Sequence, residues 1–242
     1  VVRPLIFGVL SFVVVFVLIV GGTTAYLVYR TSQTPAEPTP TAATPTDPSG
    51  TPSPTEDETW CWYPSKPQRV STNPEGKLRG GQLEIETPPG FTDRYNDTQY
   101  AFTDDPQIAL ARAEPTWSSS FFVGAVQWQT GYEYPGAEAA ATRIVDCMKS
   151  NSGMWGAATQ RSEENREEQS VTIDGAQGYE ITMDYMFSGK TGLETTEGSR
   201  IDVVVVDAPD GPSVYVSEVA IGMDEHTDQA VETRKTLAVV DE

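Results

Sequence analysis

The chain has one histidine, His226, in the run Asp224-Glu225-His226-Thr227-Asp228. A single imidazole excludes a two-histidine metal site and leaves any Ser-His-Asp arrangement resting on one residue. The simplest account of the run is electrostatic, since carboxylates at a helix start face the positive end of the helix dipole. A divalent cation held by Asp224, Glu225 and Asp228 is the sharper account, but calcium loops alternate oxygen ligands around a glycine and this run does not. Carboxylate pairs are the other available chemistry. Asp104, Asp105 and Glu133 are the first candidates for the acid and base of glycoside cleavage, although 35 acidic residues make any such pairing weakly selective.

Ser188-Gly189-Lys190-Thr191-Gly192 has the tail of a phosphate-binding loop but lacks the preceding glycine at the required spacing, and no Gly-x-Ser-x-Gly elbow occurs. Residues 188–199 therefore read as a mobile hairpin loop, usable as a contact surface. The residues predict no enzyme, no resident cofactor and no metal site. Aromatic side chains are denser between Trp60 and Tyr134 than elsewhere. Most of them are expected in the core. Trp117, Trp128, Tyr132 and Tyr134 are the candidates to line an exposed groove, where flat faces pack on sugars or acyl chains.

These residues need positioning, and the chain divides for that purpose into four parts. Residues 1–4 are a short cytoplasmic end. Residues 5–29 carry no charge and as a helix would span about 37 Å, enough to cross a bilayer. Small residues from Gly21 to Ala25 make a cleaved signal peptide the alternative, while Tyr26-Leu27-Val28-Tyr29 prolongs the span and places tyrosines at its interface. Residues 30–59 are a Pro/Thr-rich stalk with too little apolar surface to fold, a spacer whose Thr and Ser are either glycan acceptors or unmodified. Residues 60–242 are left as one extracytoplasmic domain.

Arg3 and Arg30 flank the span almost symmetrically, so orientation follows from the stalk and the acidic domain, which suit the outside of a cell membrane crossed once. Cys61 and Cys147, an even count in an exported chain, predict one disulfide; two unrelated thiols are the alternative, and redox chemistry would want a closer pair. The net charge of −19 repels phosphate backbones and so excludes nucleic acid as a partner.

Within the domain, Leu83 and Ile85 alternate in a strand that stops at Pro88-Pro89-Gly90, with Phe91 apolar beyond the turn. Ile108 and Leu110 mark a second strand, and 121–128 is apolar and β-rich. Over 137–149 Ala137, Ala140, Ala141, Ile144, Val145 and Met148 recur at helical spacing. Strands at 170–173 and 179–187 join through Asp174-Gly175 as a hairpin. Residues 200–207 hold Val203-Val204-Val205-Val206, the pattern of a strand covered on both faces, and Pro209-Asp210-Gly211 turns into a strand at 213–221. A closing helix should bury Ala230, Val231, Leu237 and Ala238. The sum is α+β: an antiparallel sheet of about six strands packed with two main helices.

The strand Leu83-Glu84-Ile85-Glu86-Thr87-Pro88-Pro89-Gly90-Phe91, the later helix, two hairpins and a closing helix resemble the PsbP-like fold, specifically the small exported LpqN-type lipoproteins of mycobacteria and relatives. This chain departs from them in having an apolar helix where they carry a lipidated cysteine. The resemblance, over about 80–242, implies a non-enzymatic binding or scaffolding domain facing the envelope and carries no catalytic residue over. The expected partners are the membrane, through the anchor, and an envelope protein, lipid or glycan. The alternative function is a wall-active hydrolase using a carboxylate pair.

Overall fold

The structure, a computed structural model, describes residues 58–97 and 99–241. The apolar span expected at 5–29 and nearly all of the stalk lie outside the described residues. Among the described residues no helix is long and apolar enough to cross a membrane.

Strands β1 (Lys77–Gly80) and β2 (Leu83–Glu86) form a tight hairpin, followed by β3 (Asp93–Tyr95), β4 (Thr103–Glu114) and β5 (Trp117–Val126). Helix α1 (Ala137–Ser150) precedes two long hairpins, β6 (Gln160–Ile173) with β7 (Ala176–Ser188) and β8 (Gly198–Ala208) with β9 (Gly211–Ile221). Helix α2 (Asp224–Lys235) and β10 (Ala238–Val239) come last in the order of elements. Seven strands make one antiparallel sheet in the order β3-β4-β5-β9-β8-β7-β6, and β1, β2 and β10 make a second, smaller one.

Strand β8 lies inside the large sheet, and its four valines are fully buried. Val203 and Val205 pack with Ile144, Val145 and Met148 of α1, whereas Val204 and Val206 face Leu78, Leu83, Phe121 and Tyr215. The period of two along a strand thus divides the apolar interior into two cores, one under α1 and one under α2 and the small sheet. Burying each valine side chain contributes about 2 kcal/mol.

A buried carboxylate joins the small sheet to the large one. Asp105, at φ +48° beside a bulge in β4, is fully buried. It accepts hydrogen bonds from the Ser71 N–H and Oγ–H at 2.5 and 2.6 Å and from the Gly81 N–H at 2.7 Å, with Arg69 Nε at 3.2 Å. The β1–β2 turn presses so close that a Cβ on Gly80 would stand 2.5 Å from the Asp105 carbonyl oxygen. All of this carboxylate's strong interactions are structural, which removes it from the candidates for acid–base chemistry.

Four expectations need correction. The main sheet has seven strands and a second sheet has three, where about six in one sheet were expected. The N-terminal two thirds of β6 is polar on both faces, so no alternation marks it as a strand; backbone pairing with β7 specifies it instead. On α2 it is His226, Ala230 and Thr233 that are buried, while Val231 is 53% exposed; Leu237 is buried just beyond the helix and Ala238 belongs to β10. The segment 188–199 is not a free loop. Strands claim both of its ends, and the Glu114 carboxylate accepts the N–H groups of Glu194, Thr195 and Thr196 at 2.7, 3.0 and 2.6 Å. Those donors, Glu194 foremost, hold the Glu114 carboxyl down at about 2.

Cys61 and Cys147 are bonded, with Cα atoms 5.5 Å apart across a sequence separation of 86. The crosslink limits the unfolded chain through a long loop. Replacing both cysteines by alanine should lower unfolding stability by about 4 kcal/mol, read by urea titration against the oxidised parent. A loss near zero would mean that the unfolded chain holds this loop closed without the bond.

Candidate binding cleft

Helix α1 starts after Pro135 and Gly136, the latter at φ +93°, a conformation that suits glycine. It lays Ala140, Ala141, Ile144, Val145, Cys147 and Met148 onto the sheet. Arg143 is four residues before Cys147, so both point toward one side of the helix. The disulfide draws the 58–62 segment across that side, and the chain continues inward, where the Phe102 N–H donates to the Trp62 carbonyl at 2.9 Å.

A cleft of about 550 Å³ results, bounded by Glu58 and Trp60 on one wall, Trp128, Tyr132 and Glu133 on another, and Glu138, Arg143 and Asp146 of α1 on the third. Trp60 is 60% exposed. The Arg143 guanidinium lies 3.9 Å from the Trp60 ring centroid, donates to the Trp60 carbonyl at 3.1 Å and pairs with Glu58 at 3.2 Å. Trp128 stacks on Phe102 with centroids 4.1 Å apart and planes 19° from parallel, which fixes its ring against the core. Rigid aromatic walls with a few charged groups are what small-molecule sites are commonly made of.

The four aromatic candidates separate. Trp128 and Tyr132 line this cleft. Tyr134 stands behind Trp128 in edge contact at 6.3 Å and donates its hydroxyl to Asp207 at 2.8 Å; burial first, then that carboxylate, pushes its own ionisation upward. Trp117 is elsewhere, buried against Trp155 and Phe187. Of the residues not singled out from the sequence as site residues, Arg143 was legible from its helical spacing to Cys147, whereas Glu58 and Glu138 carry no pattern of their own.

Trp117 borders a second, smaller depression of about 260 Å³, together with Gln99, Ser118, Ser120, Met154 and Glu218. Glu218 occupies the inward register of β9, alternating with Val214, Val216 and Ala220, so its burial follows from period two. It accepts a hydrogen bond from Ser199 Oγ. Burial pushes its carboxyl up to about 7, against the milder effect of Ser199.

His226 is also buried. Its Nδ1 lies 2.9 Å from Ser119 Oγ, which accepts the Ala220 N–H at 2.9 Å, and its ring packs 5.2 Å from Phe91. Burial lowers its pKa, favouring the neutral imidazole. The Ser119 bond and the Phe91 contact pin α2 to the sheet, and among the described residues no carboxylate is hydrogen-bonded to the imidazole, so the third member of a Ser-His-Asp triad is not in place. Asp224 and Glu225 do begin α2, as the dipole argument requires. No cluster of three potential metal-ligating side chains occurs among the described residues. Of the carboxylates proposed for hydrolysis, Asp104 accepts the Gln68 N–H at 2.7 Å in a different depression, and only Glu133 reaches the aromatic cleft.

No family profile and no curated protein matches the sequence. Among solved structures, the chain is similar to the solution structure of the cyanobacterial PsbP protein CyanoP from Synechocystis sp. PCC 6803, at 11% identity and a TM-score of 0.43, over 68% of this chain and 93% of that one. A likeness of that degree transfers no activity, ligand or site.

The raised Glu218 carboxyl gives a signed pH dependence. Between the ordinary carboxylate value and about 7, the folded state keeps a proton that the unfolded chain has lost, so stability is full at low pH and falls as pH rises. The loss is on the order of 1 kcal/mol per pH unit through that window. Glu218→Gln should therefore be more stable than the parent at pH 8 and close to it at pH 4, measured by urea unfolding. An unchanged pH profile would mean that Glu218 titrates in the folded protein as it does in the unfolded chain.

Proposed function

We propose that the domain is a non-enzymatic binding module of a bacterial cell envelope, of PsbP-like architecture and LpqN-type kinship. In this reading the apolar span 5–29 holds it to the membrane and the Pro/Thr-rich stretch sets its reach outside the cytoplasm. The observation that supports the binding role is the cleft of about 550 Å³ between Trp60, Trp128, Tyr132 and α1. Its walls are fixed by a disulfide and by stacking on Phe102, so a guest meets a prepared surface and little ordering entropy is lost on binding. Kinship with the lipoproteins is supported by the element order of this chain: a strand ending at Pro88-Pro89-Gly90, helix α1, two hairpins and a closing helix. An envelope protein, a lipid and a wall glycan are all candidate guests.

The alternative is hydrolysis by a carboxylate pair. Glu218, poised near 7 beside a depression, is the best proton donor for it. Among the described residues it is also the only carboxylate lining that depression, whereas both glycosidase mechanisms need two.

Native mass spectrometry of the full-length chain, extracted gently from its own membrane, separates these readings. A small-molecule or protein adduct is expected on the parent, and its loss is expected in the cleft-wall double variant Trp60→Ala/Tyr132→Ala. An adduct that survives this variant would move the site elsewhere. Glycan fragments accumulating with the parent but not with Glu218→Gln would replace binding by hydrolysis.

A further inference from the structure

We propose that the aromatic cleft takes a small molecule through an organic ammonium group, an inference that rests on reading this cleft as the binding site. Among the described residues four carboxylates line it, Glu58, Glu133, Glu138 and Asp146, against a single guanidinium. Arg143 is committed to Glu58 at 3.2 Å, and Asp146 has Lys149 at 3.5 Å. Among the described residues no salt bridge engages Glu133 or Glu138, both of them exposed. Two negative charges thus stand uncompensated at the mouth, next to the rings of Trp128 and Tyr132.

Aromatic faces carry partial negative charge and attract a cation within about 6 Å of the ring centroid. The cleft already contains an internal example of that interaction. The Arg143 guanidinium carbon sits 3.9 Å over Trp60 and 5.8 and 5.9 Å from Phe102 and Trp128. The same walls, with free carboxylates in addition, suit a second cation entering from solvent. A weakly hydrated alkylammonium gains most here, since little water has to be stripped before it meets the rings. The cavity volume falls within the range of small-molecule sites, and the chain's charge of −19 concentrates cations near it.

Three probes of one shape and different charge test the chemistry by calorimetric titration of the full chain: choline, 3,3-dimethyl-1-butanol and 3,3-dimethylbutanoate. Choline should bind about tenfold more tightly than the alcohol, with the carboxylate weakest. In Glu133→Gln/Glu138→Gln, a pair of exposed changes that leaves the core untouched, choline should fall to within about twofold of the alcohol. Equal affinity for choline and the alcohol would overturn the cation inference while leaving the cleft a binding site. Preference for the carboxylate would also overturn it and make Arg143 the recognition group. Failure of all three probes, with a native adduct still lost in Trp60→Ala/Tyr132→Ala, sinks the ammonium inference alone. Failure of the probes together with absence of any adduct sinks the binding role as well.

Discussion

Strand β8 has no side that can face water. Val203, Val204, Val205 and Val206 alternate between two apolar layers, so the sheet must be covered twice. One cover is α1 with the aromatic residues around Trp155, and the other is α2 with the small sheet. The second cover brings its own polar fixings. His226 against Ser119 fastens α2, and Asp105 fastens the β1–β2 hairpin. These buried polar groups have partners on other elements, which is why they specify one docking position where apolar contact alone would tolerate several.

The cleft is a by-product of the first cover. Helix α1 leaves one side facing outward, and Cys147 near its end catches the incoming chain at Cys61. The indole of Trp60 then lies over Arg143, whose charge is balanced by Glu58 from the same segment. Four residues of sequence, Glu58 to Cys61, thus supply a wall, a counter-ion and the covalent tie. The opposite wall is rigid for a different reason, because Trp128 is held face to face on Phe102 and edge-on by Tyr134. A site built between a crosslinked segment and a stacked ring has few soft degrees of freedom.

Much of this was legible before any coordinates. The apolar period of α1, the Asp174-Gly175 hairpin and the valine run each rest on a single local rule, the cysteine pairing rests on an even count, and the structure follows them. The misses have physical causes. Residues 160–169 are a strand because β7 offers them a partner, and no pattern of side chains announces that. Val231 sits on the outer side of α2 because the helix is anchored by His226 and Thr233, two polar residues that a count of apolar positions passes over. Loop 189–197 is held by Glu114 from more than seventy residues away, a contact that local glycine content could not reveal. The candidate site was half legible: aromatic density pointed to Trp128 and Tyr132, but Trp117, equally aromatic, went into the core because it lies at an inward position of β5.

Among the described residues strand β6 is the end of the large sheet, and no strand pairs with its outer backbone. An open edge of fourteen residues is ordinarily an invitation to another sheet. Here it carries Glu163, Glu164, Glu167 and Glu168, with a register shift between Glu164 and Glu167 that breaks its regular ladder. Two copies approaching edge to edge would bring these side chains, of which Glu163 and Glu168 are already paired with Arg166, within about 5 Å of one another across a ladder that no longer matches. Encounters between copies along this edge therefore do not lead them to join sheets, and each copy keeps its own cleft open.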